Sequence, residues 1–153
     1  MQIKTILTAG RTLCGIEAAS KKRALEILAN TIASDVEGID ADELFRRLVA
    51  RERLGSTGIG QGIAIPHCRV ENCQQTLGAL ITLAEPIEYD SMDGEPVDIM
   101  FAMLAPEDAT DEHLQYLAAL AGALSNEAFR ESLRNASNDE ELFQVVTIDT
   151  TQN

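Results

Sequence analysis

The residues that could do chemistry in this chain are concentrated in one short stretch, GIGQGIAIPHC at positions 58–68. It contains His67, one of only two histidines in the 153 residues, directly after Pro66. A neutral imidazole is a good nucleophile near neutral pH because its unperturbed pKa is about 6.5. His67 is therefore a candidate covalent acceptor for a transferred group.

The three glycines of this stretch, Gly58, Gly60 and Gly62, allow unusual backbone dihedrals and a close approach to a ligand. Their exposed N–H groups could cradle an anion. The spacing matches neither common nucleotide fingerprint, because G-x-G-x-x-G requires glycine where Ile63 stands and no G-K-[ST] follows. A tight glycine-rich turn remains the simpler explanation of the glycines alone.

The second histidine, His113, follows Asp111 in the first turn of a predicted helix. Pro66 ends the predicted strand 62–65, so His67 begins a loop, and the helix of His113 follows the core strand 97–105 by one short loop. If these strands run parallel, both imidazoles reach one edge of the sheet, where ligands of α/β proteins collect. A helix N-terminus favours anions. Three nearby arginines complete a candidate phosphate site: Arg51, Arg53 and Arg69.

This set of groups predicts phosphoryl transfer onto an imidazole by an already activated donor, because no Mg²⁺ or ATP apparatus is recognisable. No cofactor is expected. A metal site is an alternative, built from His67, Cys68, Cys73 and His113, but C-x4-C with an adjacent histidine is not a standard zinc pattern. His113 could also be a solvent-exposed helix residue without a role in the chemistry.

Hydrophobic periodicity and capping signals predict the elements that position these groups. We expect helices that begin after Ser20, after Asp40 (with Glu43 as a capping-box pair, ending near 54–55), after Asp111 (to about 124), after Asn126, and after Ser137 with Glu140 as a capping box. Strands are expected at 62–65, 76–83, 87–89 and 97–105, with a turn at 90–96. Helices, then strands, then helices predict an α/β fold with a mixed sheet covered on both faces.

Composition narrows the class of protein. The length suits one domain over 1–153. The formal net charge of −13 argues against nucleic acid or an anionic membrane as a partner and favours basic protein surfaces. No run approaches a membrane span, and ILTAG near the N-terminus is too short for a signal peptide. Three cysteines without a regular framework predict a cytoplasmic protein.

Two segments resemble a known family. RERLGSTGIGQGIAIPHC (51–68) is similar to the active-site signature of the enzyme IIA proteins of the fructose–mannitol class, in the bacterial phosphoenolpyruvate-dependent phosphotransferase system. PVDIMFAMLAPEDATDEHL (96–114) is similar to the second histidine segment of that family, and the resemblance extends from about Leu7 to Val146. Cys68 departs from the pattern, in which glycine is common after the histidine, and a thiol there could be neutral or oxidation-sensitive.

The resemblance implies one enzyme IIA-type (type 2) domain with a mixed sheet of about five strands between helices. It implies that a histidine-containing phosphocarrier protein phosphorylates His67 and that His113 is its neighbour in the site. Arg51, Ser56 and Thr57 match positions that flank the phosphate pocket, beside the Gly58 and Gly60 amides.

SKKRALEILA (20–29) resembles the nitrogen-related branch of the family, which acts in regulation. The resemblance therefore implies a transferase-like carrier that acts through regulatory target proteins. Two alternatives remain open: a sugar-specific enzyme IIA that passes phosphate to a membrane permease, and a regulator that binds its partners without phosphorylation.

Overall fold

Helices cover both faces of a mixed six-stranded sheet in the computed structural model, which describes residues 3–109 and 111–149. The strands are β1 (Thr12–Ile16), β2 (Gly58–Gly60), β3 (Ile63–Ala64), β4 (His67–Val70), β5 (Leu77–Ile87) and β6 (Val97–Pro106). The helices are α1 (Lys21–Asp35), α2 (Ala41–Arg53), α3 (Asp111–Leu124), α4 (Glu127–Asn135) and α5 (Asp139–Asp149). Two short 3-10 turns, Ile3–Thr5 and Ala9–Arg11, precede β1.

Strand β6 is the centre of the sheet. Along one side it pairs antiparallel with β5, which in turn pairs parallel with β1. Along its other side it pairs parallel with β3 and then with β4, and β2 lies antiparallel to β3 at the edge. This arrangement confirms the predicted mixed sheet, with one strand more than the five expected.

Side chains of β6 alternate between two cores, as the period of a strand requires. Ile99, Phe101 and Met103 pack in the core that contains residues of α3, α4 and α5. Met100 and Leu104 pack in the core that contains residues of α1 and α2. Because both faces of β6 are covered, nearly all of its residues are apolar, and this apolar run is the feature that predicted a central strand.

Three predicted helix caps are confirmed. The Arg23 amide donates to Ser20 Oγ (3.1 Å), the Glu43 amide to Asp40 Oδ2 (2.9 Å) and the Phe129 amide to Asn126 Oδ1 (2.9 Å). The predicted return bond of the Glu43 carboxylate is absent among the described residues. Glu43 instead accepts from Arg47 one turn later, which is the usual i,i+4 partner on an exposed face.

Two predicted helix starts are wrong by one residue. The cap of α5 is Asn138 rather than Ser137, since the Glu141 amide donates to Asn138 Oδ1 (2.8 Å); asparagine caps as well as serine does. Asp111 is the first helical residue of α3 and not its cap. Position 110, where a cap would stand, lies outside the described residues, and the Asp111 carboxylate still complements the helix dipole.

Two strand boundaries also differ from the prediction. Strand β5 continues through Glu85 and Pro86 to Ile87, where the sequence predicted a break and a separate strand at 87–89. A register shift between Thr82 and Ile87 interrupts the ladder around Pro86, which has no N–H to contribute. Strands β1 and β2 were not predicted, because their short, glycine-containing sequences lack clear alternation.

Candidate active site

Pro66 interrupts the edge of the sheet without ending it. The Met103 amide of β6 donates to the Pro66 carbonyl (2.9 Å), so the ladder passes the proline. His67 is then the first residue of β4, in register with Met103. The predicted loop at His67 is therefore wrong, because a proline lacks only the donor and still accepts a hydrogen bond at a sheet edge.

The ring of His67 is held in one tautomer. Its Nδ1 lies 2.7 Å from the Ile65 carbonyl oxygen. A carbonyl can only accept, so Nδ1 carries the hydrogen and Nε2 keeps its lone pair. Burial lowers the pKa of His67, and the charge of Arg51 acts in the same direction, against the Ile65 bond and Glu52. The imidazole is therefore neutral at neutral pH, and Nε2 is the ring nitrogen with a lone pair available for attack.

His113 lies beside His67. Strands β4 and β6 run parallel, as the prediction required, and the two ring centroids are 5.7 Å apart with planes tilted by 53°. His113 is buried, and its Nδ1 has no hydrogen-bond partner in the described part of the chain. Burial lowers the pKa of His113, and the charges of His67 and Arg69 lower it further. It is not the solvent-exposed residue of the alternative interpretation.

The glycine segment folds into a tight hairpin between β2 and β3. Gly60, Gln61 and Gly62 have φ values of 97°, 61° and 81°, a conformation that favours glycine. The Gln61 amide donates to Asp93 Oδ2 (3.0 Å), and Arg134 Nη2 donates to the Gln61 carbonyl (2.7 Å). The structure therefore agrees with the interpretation of these glycines as a tight turn.

The predicted phosphate-binding residues extend from the last turn of α2, through the connection at Ser56 and Thr57, to β2. Arg51 is half-buried and donates to the Gly55 carbonyl (3.0 Å). Ser56 Oγ accepts from the Gly58 amide (3.1 Å) and donates to the carbonyl of Tyr89 (2.9 Å). As phosphate ligands, Arg51, Ser56 and Gly58 remain predictions.

At Thr57 and Gly60, carboxylates of this chain lie close to the groups that a phosphate would bind. Thr57 is 5% exposed, and its amide and hydroxyl both donate to Glu52. A Cβ at Gly60 would lie 3.1 Å from the Asp93 carboxylate. Both residues likewise remain predictions as phosphate ligands. Arg53 and Arg69, the other two predicted arginines, are exposed.

Sequence reasoning missed a buried polar group behind this segment. Glu52 forms a 3.0 Å ion pair with Lys21, and Lys21 Nζ lies 4.3 Å from the centroid of the Tyr89 ring. Tyr89 is fully buried, and its hydroxyl lies 3.3 Å from Thr57 Oγ1. Nothing in the mixed-charge run RER distinguishes a buried carboxylate from a solvated one, so no sequence signal could have identified it.

The cysteines do not assemble with the histidines into a metal-binding group. Within residues 3–109 and 111–149, no set of three or more His, Cys, Asp or Glu side chains is placed to hold a metal ion. Cys68 packs against the core beneath α1 and α2, and burial raises the pKa of its thiol to about 12. Cys73 Sγ donates to the Gln75 carbonyl (2.8 Å). All three thiols are free.

Among the described helices, none is both long enough and apolar enough to cross a membrane. The arrangement is a two-histidine site at the edge of a sheet, in which Nε2 of His67 is unprotonated and the charge of Arg51 acts on the ring.

Comparison with known proteins agrees with this geometry. Residues 5–148 match the family model "Phosphoenolpyruvate-dependent sugar phosphotransferase system, EIIA 2". A "Nitrogen regulatory protein" of Pseudomonas aeruginosa is 47% identical over 146 residues, covering 95% of each chain. The crystal structure of "Nitrogen Regulatory Protein IIA-Ntr" from Neisseria meningitidis superposes with a TM-score of 0.87 at 41% identity, covering 94% of this chain and 98% of that one.

A more distant relative carries a sugar-related name. The "PTS system fructose-specific EIIA component" of Haloferax volcanii is 33% identical over 128 residues, covering 84% of this chain and 83% of its own. The family model spans nearly the whole chain and includes both histidines. The chain therefore belongs to the EIIA 2 family of the phosphoenolpyruvate-dependent sugar phosphotransferase system.

Proposed function

We propose that the protein is a regulatory phosphoryl acceptor and carrier of the phosphotransferase system. A histidine-containing phosphocarrier protein phosphorylates it on His67, and it acts through protein partners in nitrogen and metabolic regulation. It does so in the cytoplasm, as one domain over residues 1–153. The observation that carries the proposal is the free Nε2 of His67 beside a second, buried imidazole. The relatives named nitrogen regulatory proteins support the regulatory branch.

The transfer step follows from the tautomer of His67. The Nε2 lone pair attacks the phosphorus of a donor phosphohistidine that is protonated on its other ring nitrogen. A new P–N bond forms, and the old P–N bond breaks with its electron pair returning to the donor ring, which leaves as neutral imidazole. The positive charge that develops on the His67 ring is stabilised by the Ile65 carbonyl at Nδ1. Arg51 stabilises the charge of the moving phosphoryl group. The buried ring of His113 orients the acceptor or holds a phosphoryl oxygen.

Exposed apolar side chains on or against the segments that carry the predicted site residues support docking of a protein. Leu54 is 85% exposed at the end of α2, Met92 is 85% exposed, and Leu114 beside His113 is 61% exposed. The Met92 amide donates to the carbonyl of Gly58 (3.3 Å), so Met92 lies against the glycine segment. Large exposed apolar residues bordered by polar ones are typical of protein interaction sites. We call Leu54, Met92 and Leu114 the apolar rim.

Charge favours a basic partner for this rim. The net charge of the chain is −13. Met92 lies in the segment 85–95, whose charged residues are all acidic and exposed: Glu85, Glu88, Asp90, Asp93 and Glu95. Opposite charge on a partner would accelerate the encounter.

The second candidate function is the sugar-specific one, in which phosphate passes from His67 to a membrane sugar permease. The fructose-specific relative favours it. The sugar-specific function is the second candidate because the identity to nitrogen regulatory proteins is higher.

The deciding experiment is phosphorylation in vitro with phosphoenolpyruvate and the upstream phosphotransferase proteins. Wild type should acquire one acid-labile phosphoryl group, and His67→Ala should acquire none. A His67→Ala protein that labels as strongly as wild type would overturn the assignment, and an unlabelled wild type would leave only the regulator that binds without phosphorylation.

Affinity capture identifies the output of the protein. The captured partners are compared between unphosphorylated wild type, phosphorylated wild type and His67→Ala. Soluble regulators that distinguish the phosphorylated form support the regulatory function. Transfer of the label to a permease domain instead supports the sugar-specific alternative.

A further inference from the structure

A buried carboxylate is bonded to Thr57, whose carbonyl oxygen accepts the amide hydrogen of Ile65 (3.0 Å), and the transfer step described above does not use it. Glu52, in the last turn of α2, is only 8% exposed. Its Oε1 accepts the Thr57 amide hydrogen (3.0 Å), and its Oε2 accepts the Thr57 hydroxyl. Carboxylates are rarely buried unless their charge is paired and their oxygens are hydrogen-bonded. Both conditions are met at Glu52.

Lys21 supplies the opposite charge and joins a further element to the group. Its Nζ lies 3.0 Å from Glu52 Oε1 and donates to the Tyr89 carbonyl (3.3 Å). Because the Thr57 hydroxyl hydrogen points to Glu52, the Tyr89 hydroxyl is the donor in its 3.3 Å contact with Thr57 Oγ1. The group therefore joins the first residue of α1, the end of α2, the segment at Thr57 and the segment that follows β5.

This group holds residues 55–58 in place at several points. Ser56 Oγ bonds to the carbonyl of Tyr89, and the amide of Gly58 bonds to Ser56 Oγ. Arg51, the neighbour of Glu52, holds the Gly55 carbonyl. A displacement of Glu52 would therefore release the segment that carries the predicted phosphate-binding residues and would change the support of the Arg51 side chain.

We propose that Glu52, paired with Lys21, is a positioning residue for phosphoryl transfer to His67: it fixes residues 55–58 and thereby the approach of Arg51 to the acceptor ring. The inference rests on the proposed function. Glu52 itself contacts no reacting atom. Its role is to keep the groups that stabilise the moving phosphoryl group within a narrow range of positions, on which transfer rates depend steeply.

The variant Glu52→Gln tests this role with little change of shape. Glutamine still accepts the Thr57 amide but removes the charge that pairs with Lys21. In single-turnover transfer from the phosphorylated phosphocarrier protein, we expect the maximal rate to fall about tenfold or more. The half-saturating phosphocarrier concentration should stay within about twofold, because the apolar rim is unchanged. Glu43→Gln is the matched control, since it removes one exposed charge from the same helix.

A titration of His67 by NMR adds a direct readout of the Glu52 charge at the acceptor ring. The charged groups that act on His67 are Arg51 and Glu52 from α2, with the ring of His113 facing it from α3. Since the Glu52 charge raises the pKa of His67, Glu52→Gln should lower that pKa below the wild-type value. Glu43→Gln should leave it unchanged.

Lys21→Met tests the other side of the pair, with Lys22→Met as its control because Lys22 is the exposed neighbour. Lys21→Met should slow transfer and Lys22→Met should not, and this comparison decides the matter if Glu52→Gln fails to fold. Folded Glu52→Gln or Lys21→Met proteins that transfer within twofold of wild type overturn the positioning role alone. A wild type that accepts no phosphoryl group overturns the proposed function as well.

Discussion

The Nδ1 atom of His67 lies 2.7 Å from the carbonyl oxygen of Ile65, two residues back along the chain. This hydrogen bond across Pro66 fixes the tautomer of the ring, because it leaves Nε2 as the unprotonated atom. In the proposed transfer, the acceptor atom is thus set by the backbone of the same segment and does not depend on a carboxylate partner.

We therefore expect the phosphoryl group to be found on Nε2 of His67. His113→Ala should leave the same atom labelled but slow transfer by about 10- to 100-fold, because a rigid imidazole that orients the acceptor is lost. Two-dimensional NMR of the labelled protein identifies the nitrogen, and rapid-quench kinetics gives the rate. Phosphate on His113 in a His67→Ala protein, or an unchanged rate in His113→Ala, would contradict these roles.

The two histidines should make stability depend on pH. Burial lowers the pKa of both His67 and His113 in the folded protein, so below about pH 6.5 the unfolded chain binds protons that the folded chain does not. This contribution to stability is complete above pH 6.5 and is lost as the pH falls from there through the folded-state pKa values. Urea unfolding between pH 5 and 7.5 should show a fall that is smaller in a His67→Asn, His113→Asn double variant. An equal fall in both proteins would exclude the histidines as its cause.

Cys68 should be dispensable for phosphoryl acceptance. Its thiol, with a pKa of about 12, is protonated at neutral pH and packs against the core. Cys68→Gly should label at a rate within about twofold of wild type, with a stability loss on the order of 1 kcal/mol from glycine in a strand. Cys68→Ala, which keeps a side chain in the strand, is the control. Loss of labelling in a Cys68→Gly protein with a native circular dichroism spectrum would assign the thiol a direct role.

The hairpin that precedes His67 should depend on one ion pair. Arg134 bonds both oxygens of Asp98 at 2.9 Å and the carbonyl of Gln61 at 2.7 Å. Asp98→Asn should lower the free energy of unfolding by about 1–3 kcal/mol, because a bidentate, half-buried pair is lost. Glu131→Gln, which removes a more exposed 3.6 Å partner of Arg134, should cost less than about 0.5 kcal/mol. Equal losses in the two variants would show that the Asp98 pair does not stabilise the hairpin.

The apolar rim should control affinity and not chemistry. Met92→Glu should raise the half-saturating concentration of the phosphocarrier protein by about tenfold, since it places a charge in an apolar contact. The maximal rate of transfer should stay within about twofold. Gln144→Glu adds the same charge at an exposed position of α5 and should change neither value. An unchanged half-saturating concentration in Met92→Glu would exclude Met92 from the docking surface.

Much of this organisation was predictable from sequence because its causes are local. The caps at Ser20, Asp40 and Asn126 each need only one side chain and an amide three residues away. The apolar run of β6 predicted a central strand, and its parallel partner brought the two histidines together as expected.

The missed features depend on distant partners. The strand that begins at His67 forms only because β6 supplies a ladder on which Pro66 can still accept a hydrogen bond. The buried state of Glu52 depends on Lys21, which is 31 residues earlier in the chain. Such pairings leave no periodic signal within a single segment.

Strand β6 has a consequence for how the chain tolerates insertions and deletions. His67 is in register with Met103 of β6, and His113 lies on α3, the helix that follows β6. The positions of both rings therefore depend on the backbone of β6. Adding or removing one residue within β6 would turn the strand's side chains onto the opposite face and separate the rings. One extra residue at the tip of the β2–β3 hairpin, at 61–62, would leave the register of His67 with Met103 unchanged. Length variation in this protein should therefore be accepted at the hairpin tip and excluded from the ten residues of β6.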